Sequence, residues 1–370
     1  MSEVATGMAA KLAVVIHAEE EFDWHGQFSS ANNQVSPQYA LIALIEKLIV
    51  LGAKVTLAMD YAFVASPNGQ TVIQHFSSRQ GESIEFASHL HPWVNPPFSQ
   101  SHHNVSKFES FPGNLPADIE REKLQTLTDL IHDISGTKPL SYLAGRHGFG
   151  ANTLATLNEL GYQVDLSICP YYDFSASEGP DFRAFDCRRF EKEGVTFLPH
   201  TSAVTSWSRH YQKRFNRHAS LYSEWQQSPL KKVMGRGIGL RLDRLSPEGL
   251  SLRQMQRVYL AQKQNGLKEF VLSFHSSSLL VNATPYVKAQ RDVAALEARL
   301  IAFVTWAFNV EQCRAFLPQS FASKLALLSK SKSQSRAATP ARTTSTSTSF
   351  PPSSSRSQLQ HAKVSAKGEC

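Results

Sequence analysis

Short apolar runs that each end on a polar residue, with helix-like segments between them, constrain this chain more than any other feature. LAVVI leads to His17-Ala-Glu19, SIEFAS to His89-Leu-His91, LSYLAG to Arg146, GYQV to Asp165 and FVLSF to His275. Runs of this length and β-branched content read as buried strands, and strands that alternate with helices form a parallel sheet. Such a sheet gathers the carboxyl ends of its strands at one mouth, where these folds carry their chemistry. The pattern therefore predicts that residues far apart in sequence meet.

The intervening segments carry helix punctuation. Ser36-Pro37 predicts a helix start, as N-cap and first helical residue; Ala40, Leu41, Leu44, Ile45, Leu48 and Ile49 share one face, and Gly52 stops it. The spacing predicts strands over 11–16, 53–59, 83–88, 140–144, 162–168 and 268–274. Helices are predicted over 70–78, 117–134, 151–160 and 288–312, with another starting at Ser251. Residues 92–116 form a loop long enough to be a functional lid. After 200 the alternation breaks, and 205–245 is basic and aromatic (Trp207, Arg209, Tyr211, Arg214, Trp225, Arg241 among others). The expected architecture is one α/β domain over 11–328, a barrel or distorted barrel, with 205–245 as a basic insertion.

The chain has 370 residues and a formal net charge of +7. Eight basic residues from Lys324 onward, opposed only by Glu369, supply all of that charge, so the high isoelectric point says nothing about the catalytic body and gives no sign of a specific nucleic-acid partner. Residues 329–370 are rich in Ser, Thr and Pro and poor in large apolar side chains, a composition that predicts disorder. Such a tail suits electrostatic contact with an anionic surface, or is simply solvated. No apolar run reaches the roughly 18 residues of a membrane span. The first apolar stretch runs straight into acidic residues without the basic start of a signal peptide, so a cytoplasmic location is expected. Cys169, Cys187, Cys313 and Cys370 show neither a zinc-knot spacing nor a disulfide framework.

His89 and His91 stand two apart at a strand end, where alternation turns both imidazoles to the same side and lets them grip one ion. Elsewhere, such a pair is two ordinary loop histidines. Glu19 would complete a His₂-carboxylate set, although Glu20, Glu21 and Asp23 crowd the same turn and the spacing does not choose among them. Zinc in such a set acidifies water enough to attack an amide or ester at neutral pH. His275 is a candidate general acid, Asp165 a group to orient it or to cap a turn, and Arg146 a group to fix a carboxylate or an oxyanion. Trp93 offers a sugar an apolar floor, or packs.

Taken in order, IHAEEEFDW, ASHLHPWVNPP, AGRHGFG, GYQVDLSICP, GPDFRAF, RLSPEG and FHSSSLLVNATPYV resemble the polysaccharide deacetylases of the NodB-homology superfamily, nearest to its WalW-like branch. The resemblance spans residues 11–312. It implies a distorted (β/α) barrel, a divalent metal (usually zinc), and removal of an N-acetyl group from an amino sugar during cell-envelope polysaccharide or lipopolysaccharide synthesis. Carried over by motif, it assigns Glu19, His89 and His91 to the metal, His275 to the general acid, and Asp165 to the fourth motif. Two positions depart from the pattern. His17 stands where relatives carry an aspartate base, and Leu143 where they carry the arginine that tethers it. Losing both together is physically coherent, because either charge alone would be poorly compensated near the metal. It opens two further readings: a catalytically impaired relative that binds a glycan or partner protein, or an amidohydrolase acting on a non-sugar amide.

Overall fold

The strand Lys11–Ala18 is apolar and β-branched through its middle, and buried from Leu12 onward. It lies within a parallel sheet, paired on one side with Glu269–His275 and on the other with Val55–Met59. Ile84–Leu90, Ser141–Ala144, Val164–Asp165 and Val195–Phe197 follow in that order, each parallel to the last, and Phe190–Lys192 adds antiparallel at the edge. The computed structural model describes residues 9–24, 26–98 and 104–322; the tail expected to be disordered over 329–370 lies outside them.

Burial on both faces is what a parallel sheet with helical crossovers demands, and here the two faces differ. Leu12, Val14 and Ile16 belong to a large outer core shared with Leu41, Leu44 and Leu48 of the helix Gln38–Val50. Ala13, Val15, Ala58, Ala87, Leu143, Leu166 and Val271 form a narrower inner cluster, joined by Phe316 and Phe321. Small side chains on the inner face let the sheet curl. Side chains two apart share a face, so His17 continues the row of Ala13 and Val15, and His89 that of Ala87.

Between Val195–Phe197 and Glu269–His275 the wall is irregular. Leu198 N donates to Asp165 O at 2.9 Å, Thr201 N to Val271 O at 3.3 Å, and Ser273 N to Leu245 O at 3.2 Å. Residues 198–201 and Leu245 thus bridge the opening that a regular barrel would close with a strand. The chain has the distorted (β/α) barrel that its alternation predicts.

Several boundaries differ from expectation for local reasons. The first helix begins at Gln38, with Pro37 rather than Ser36 at the cap position and no side-chain cap. Only Val164–Asp165 of the expected 162–168 strand is regular, because Asp165 turns the chain through Ser167. Residues 205–245 hold three short helices, Arg209–Arg217, Ala219–Gln227 and Pro229–Gly237. The strand Arg241–Arg244 then pairs antiparallel with Ser202–Thr205. Among the described residues no helix is long and apolar enough to cross a membrane.

Candidate metal centre and active site

Register sets His17 beside His275 on one neighbouring strand and Ala58 on the other, and His89 beside Leu143. The imidazoles therefore crowd together at the strand ends. Ring centres lie 4.7 Å apart for His17 and His275, 5.0 Å for His17 and His89, and 4.4 Å for His89 and His91.

The neighbours of these rings fix which nitrogen is free. His89 Nδ1 donates to the Leu143 carbonyl at 2.9 Å, and His91 Nδ1 to Glu20 Oε2 at 2.9 Å. Both Nε2 atoms are then left facing Glu19 Oε2, at 3.4 and 3.7 Å. A charge-assisted hydrogen bond would be shorter, about 2.7–2.9 Å. Donors held by one tetrahedral ion at 2.0–2.1 Å stand roughly 3.3 Å apart; the His89–Glu19 separation matches this, and that of His91 is somewhat longer. His17 Nε2 is buried and has no hydrogen-bond partner, and His17, Glu19 and His89 each offer a ligand atom within 4.8 Å of the others, a group that could itself hold an ion.

Glu20 and Asp60 could group with His91 around an ion, but their oxygens are engaged. Glu20 accepts from His91 and, at 2.7 Å, from Trp93 Nε1; Asp60 accepts from the backbone of Glu20 at 3.2 Å and Phe63 at 2.6 Å. Glu20 thus stands behind His91 as a carboxylate does behind a histidine in metal sites, an arrangement that fixes tautomer and ring orientation. Trp93 stacks on His91 at 4.3 Å and is only 2 % exposed, so it backs the ring rather than lining the mouth.

Burial, followed by the neighbouring imidazoles, holds His17 well below its ordinary pKa, and burial with His91 lowers His89. Both rings are neutral, as ligands must be. Burial would also lower His91, but the carboxylates of Glu20, Asp60 and Glu19 outweigh it and hold the ring well above 6.5, so a cation at its Nε2 would have to displace a proton. Asp60 is pushed up to about 7, first by burial and then by Glu20.

Across the mouth, His275 Nδ1 lies 2.9 Å from Glu248 Oε2, and its backbone N–H donates to Glu248 Oε1 at 3.1 Å. Ser278 Oγ donates to the same carboxylate. Burial opposes protonation of His275, yet the charges of Glu248 and Glu19 raise its pKa above the usual value. Trp24 stands edge-on to the ring at 6.0 Å and is 40 % exposed, which makes it an accessible aromatic at this edge, with Tyr286 6.5 Å beyond it.

The other candidates fall elsewhere. Asp165 accepts from Ser167 N at 2.9 Å and Ser167 Oγ at 2.8 Å, and burial pushes it up to about 7; its bonds cap the turn and do not reach His275. Arg146 stacks on Phe111 and Phe28, 3.9 and 4.7 Å from the ring centres, and bonds Ser110 Oγ. Leu143 fills the inner apolar layer beneath His89. Next to the cluster, His147 Nδ1 donates to Ser167 O at 3.1 Å and its Nε2 accepts from Arg244 Nη1 at 2.6 Å. His200 completes the wall, 4.9 Å from His147 and 6.0 Å from His17.

Glu248, Arg244, His147 and His200 carried no role in the sequence. Glu248 and Arg244 lie in the quoted RLSPEG run, and His200 and Asp60 end apolar runs of their own (VTFLPH and KVTLAMD), the same signal that marked the five leading sites.

No family model and no curated protein matches the chain. Solved structures do. A protein from Parabacteroides distasonis classed as a glycoside hydrolase/deacetylase superposes with a TM-score of 0.51 at 9 % identity, over 87 % of this chain and 71 % of that one. A protein from Mycobacterium smegmatis classed as a polysaccharide deacetylase gives 0.44 at 14 % identity, over 92 % and 96 %. The 4-alpha-glucanotransferase from Thermococcus litoralis gives 0.46 at 12 % identity over 86 % of this chain, which spans only 41 % of that one. The first of these likenesses concerns fold.

Proposed function

We propose that the protein is a cytoplasmic, divalent-metal-dependent deacetylase that removes an N-acetyl or related acyl group from an amino sugar in cell-envelope polysaccharide or lipopolysaccharide synthesis. The observation that carries this reading is the facing of Glu19 Oε2, His89 Nε2 and His91 Nε2 at a cation's spacing, with the His275–Glu248 pair across from them. Glu19, His89 and His91 would hold the ion, zinc being the metal that this donor set suits. A divalent ion there supplies Lewis acidity and lowers the pKa of water.

The protein's own groups supply the rest. Glu20 keeps His91 in the ligating tautomer, and the Leu143 carbonyl does the same for His89. Glu248 holds His275 Nδ1–H, which leaves Nε2 to hand a proton to the departing amine. Trp24 presents an accessible aromatic edge to a sugar ring. The basic 205–245 segment and the helix Leu252–Gln264 enclose a separate cavity of about 580 Å³, lined by Trp207, Arg209 and Arg241 from the first and Arg257 from the second, suited to an acidic glycan.

Acetate release from N-acetylated sugars by zinc-supplemented protein tests the reading, with a ring amide such as a hydantoin as comparator. Release from sugars, reduced about 100-fold or more in His275→Ala, is expected. Turnover of the ring amide alone would move the protein to the non-sugar amidohydrolases. His17 and Leu143 favour a second reading, a glycan- or partner-binding relative without turnover; binding of acetylated sugar with no acetate release under any metal would select it.

A further inference from the structure

The strand Arg241–Arg244 ends at the site, and the residue after it is tied to the barrel: Leu245 N donates to Thr201 O at 2.7 Å and Ser273 N to Leu245 O at 3.2 Å. Arg244 is therefore held in place at the wall next to His147. Its guanidinium bonds His147 Nε2, and no carboxylate lies within ion-pair distance of it among the described residues. The nearby acids are engaged elsewhere, Asp243 with Arg241 and Glu248 with His275. Burial pushes the Cys169 thiol up to about 11, so this neighbour is neutral. His147, whose Nδ1 donates to Ser167 O, is a neutral acceptor and brings no negative charge.

A half-buried guanidinium whose hydrogen-bond partners, His147 and the thiol of Cys169, are both neutral is costly unless something else meets its charge. Its remaining N–H donors form the planar fork that suits carboxylate or phosphate. The placement of His147 is itself unusual, since Arg146 and His147 both adopt left-handed backbone (φ 54° and 59°) without being glycine. Strain of this kind persists where a position serves a function.

We infer that Arg244, braced by His147, is an anion subsite of this pocket and that the substrate is an acidic sugar derivative whose carboxylate or phosphate sits beside the acylated amine. The sugar part of this inference rests on the deacetylase reading; the anion part does not. The test is calorimetric titration of inorganic phosphate into the full-length, metal-loaded protein, compared with Arg244→Gln, Arg244→Lys and His89→Ala. Phosphate affinity should fall about 10- to 100-fold in Arg244→Gln, as for lost charge-assisted bonds, and by less in Arg244→Lys, which keeps the charge without the fork. His89→Ala, which removes a metal ligand, should leave most of the affinity in place. No binding by the wild type, or equal binding by wild type and Arg244→Gln, would overturn the subsite. N-acetylmuramic acid and N-acetylglucosamine 1-phosphate, each against neutral N-acetylglucosamine, then separate carboxylate from phosphate. Neutral and acidic sugars binding alike would overturn the substrate class. Absence of acetate release with phosphate binding intact would remove the deacetylase reading and leave the subsite standing.

Discussion

At the scale of single residues, His275 and Glu248 make the most direct statement about chemistry. The pair raises the pKa of His275 and lowers that of Glu248, burial opposing both shifts. Below a pH near 6.5, its unfolded value, His275 contributes its full stabilisation, which is lost as pH rises through the higher folded value. Glu248 works the other way: its contribution is complete above its unfolded value of about 4.5 and disappears as pH falls through the lower folded one. The pair is therefore strongest between these limits. The protonated His275 needed as acid persists above pH 6.5, so the alkaline limb of the kcat/KM profile should lie above that value. In Glu248→Gln the limb should move down toward or below it; an unmoved limb would show that another group donates the proton. His17 poses a separate question. Its Nε2 is buried without a hydrogen-bond partner and the residue groups with Glu19 and His89, and His17→Ala distinguishes its roles: a ligand takes metal content down with it, a base leaves metal bound and removes turnover.

At the scale of elements, the strand ends do the positioning, and two of them depend on neighbours that a local reading does not reveal. Gly145 follows the strand Ser141–Ala144, and a Cβ there would meet the Leu90 carbonyl and the His91 ring. Gly145→Ala should displace His91 and weaken zinc binding about 10-fold or more, the scale of lost ligand support, read by competition with a chromophoric chelator. Leu143 tests the paired departure at the same strand. An arginine in this inner apolar layer is an uncompensated buried charge, so Leu143→Arg should cost about 3–5 kcal/mol in denaturant unfolding. Adding His17→Asp should recover part of that loss; additive losses would mean that the two positions do not communicate. Strand-end histidines were legible because apolar runs stop there. The partners that set their tautomers were not, since Leu143 contributes only a carbonyl and Glu20 competes with three neighbouring acids in the same turn. Asp165 shows the converse: its place at a run's end marked it, but its bonds to Ser167 make it a turn cap.

At the scale of the whole molecule, alternation of strands and helices gave the barrel, because parallel pairing follows from period and order alone. The opening bridged by Leu198, Thr201 and Leu245 had no such signal, since irregular segments carry no period. For that reason the wall holding His200, Arg244 and Glu248, brought in from beyond residue 198, was the least legible part of the site. Charge is also divided at this scale: residues 329–370 carry seven basic residues and one acidic one, whereas residues 1–323 are balanced. Truncation after Leu328 should leave turnover of a small acetylated sugar unchanged and abolish any salt-sensitive adsorption to anionic vesicles in a sedimentation assay. Loss of turnover would show that the tail contributes to the active protein.

The facing donor atoms of Glu19, His89 and His91 are the centre of the account, and metal content per chain tests them most directly. Protein purified without added metal, wild type beside His89→Ala and His91→Ala, would be analysed by mass spectrometry for bound divalent ions before and after zinc loading. About one ion per chain in the wild type, lost in both variants while their circular dichroism is retained, is the predicted result. A wild type that holds no ion after zinc loading, or variants that keep it, would contradict the assignment of this pocket as a metal centre.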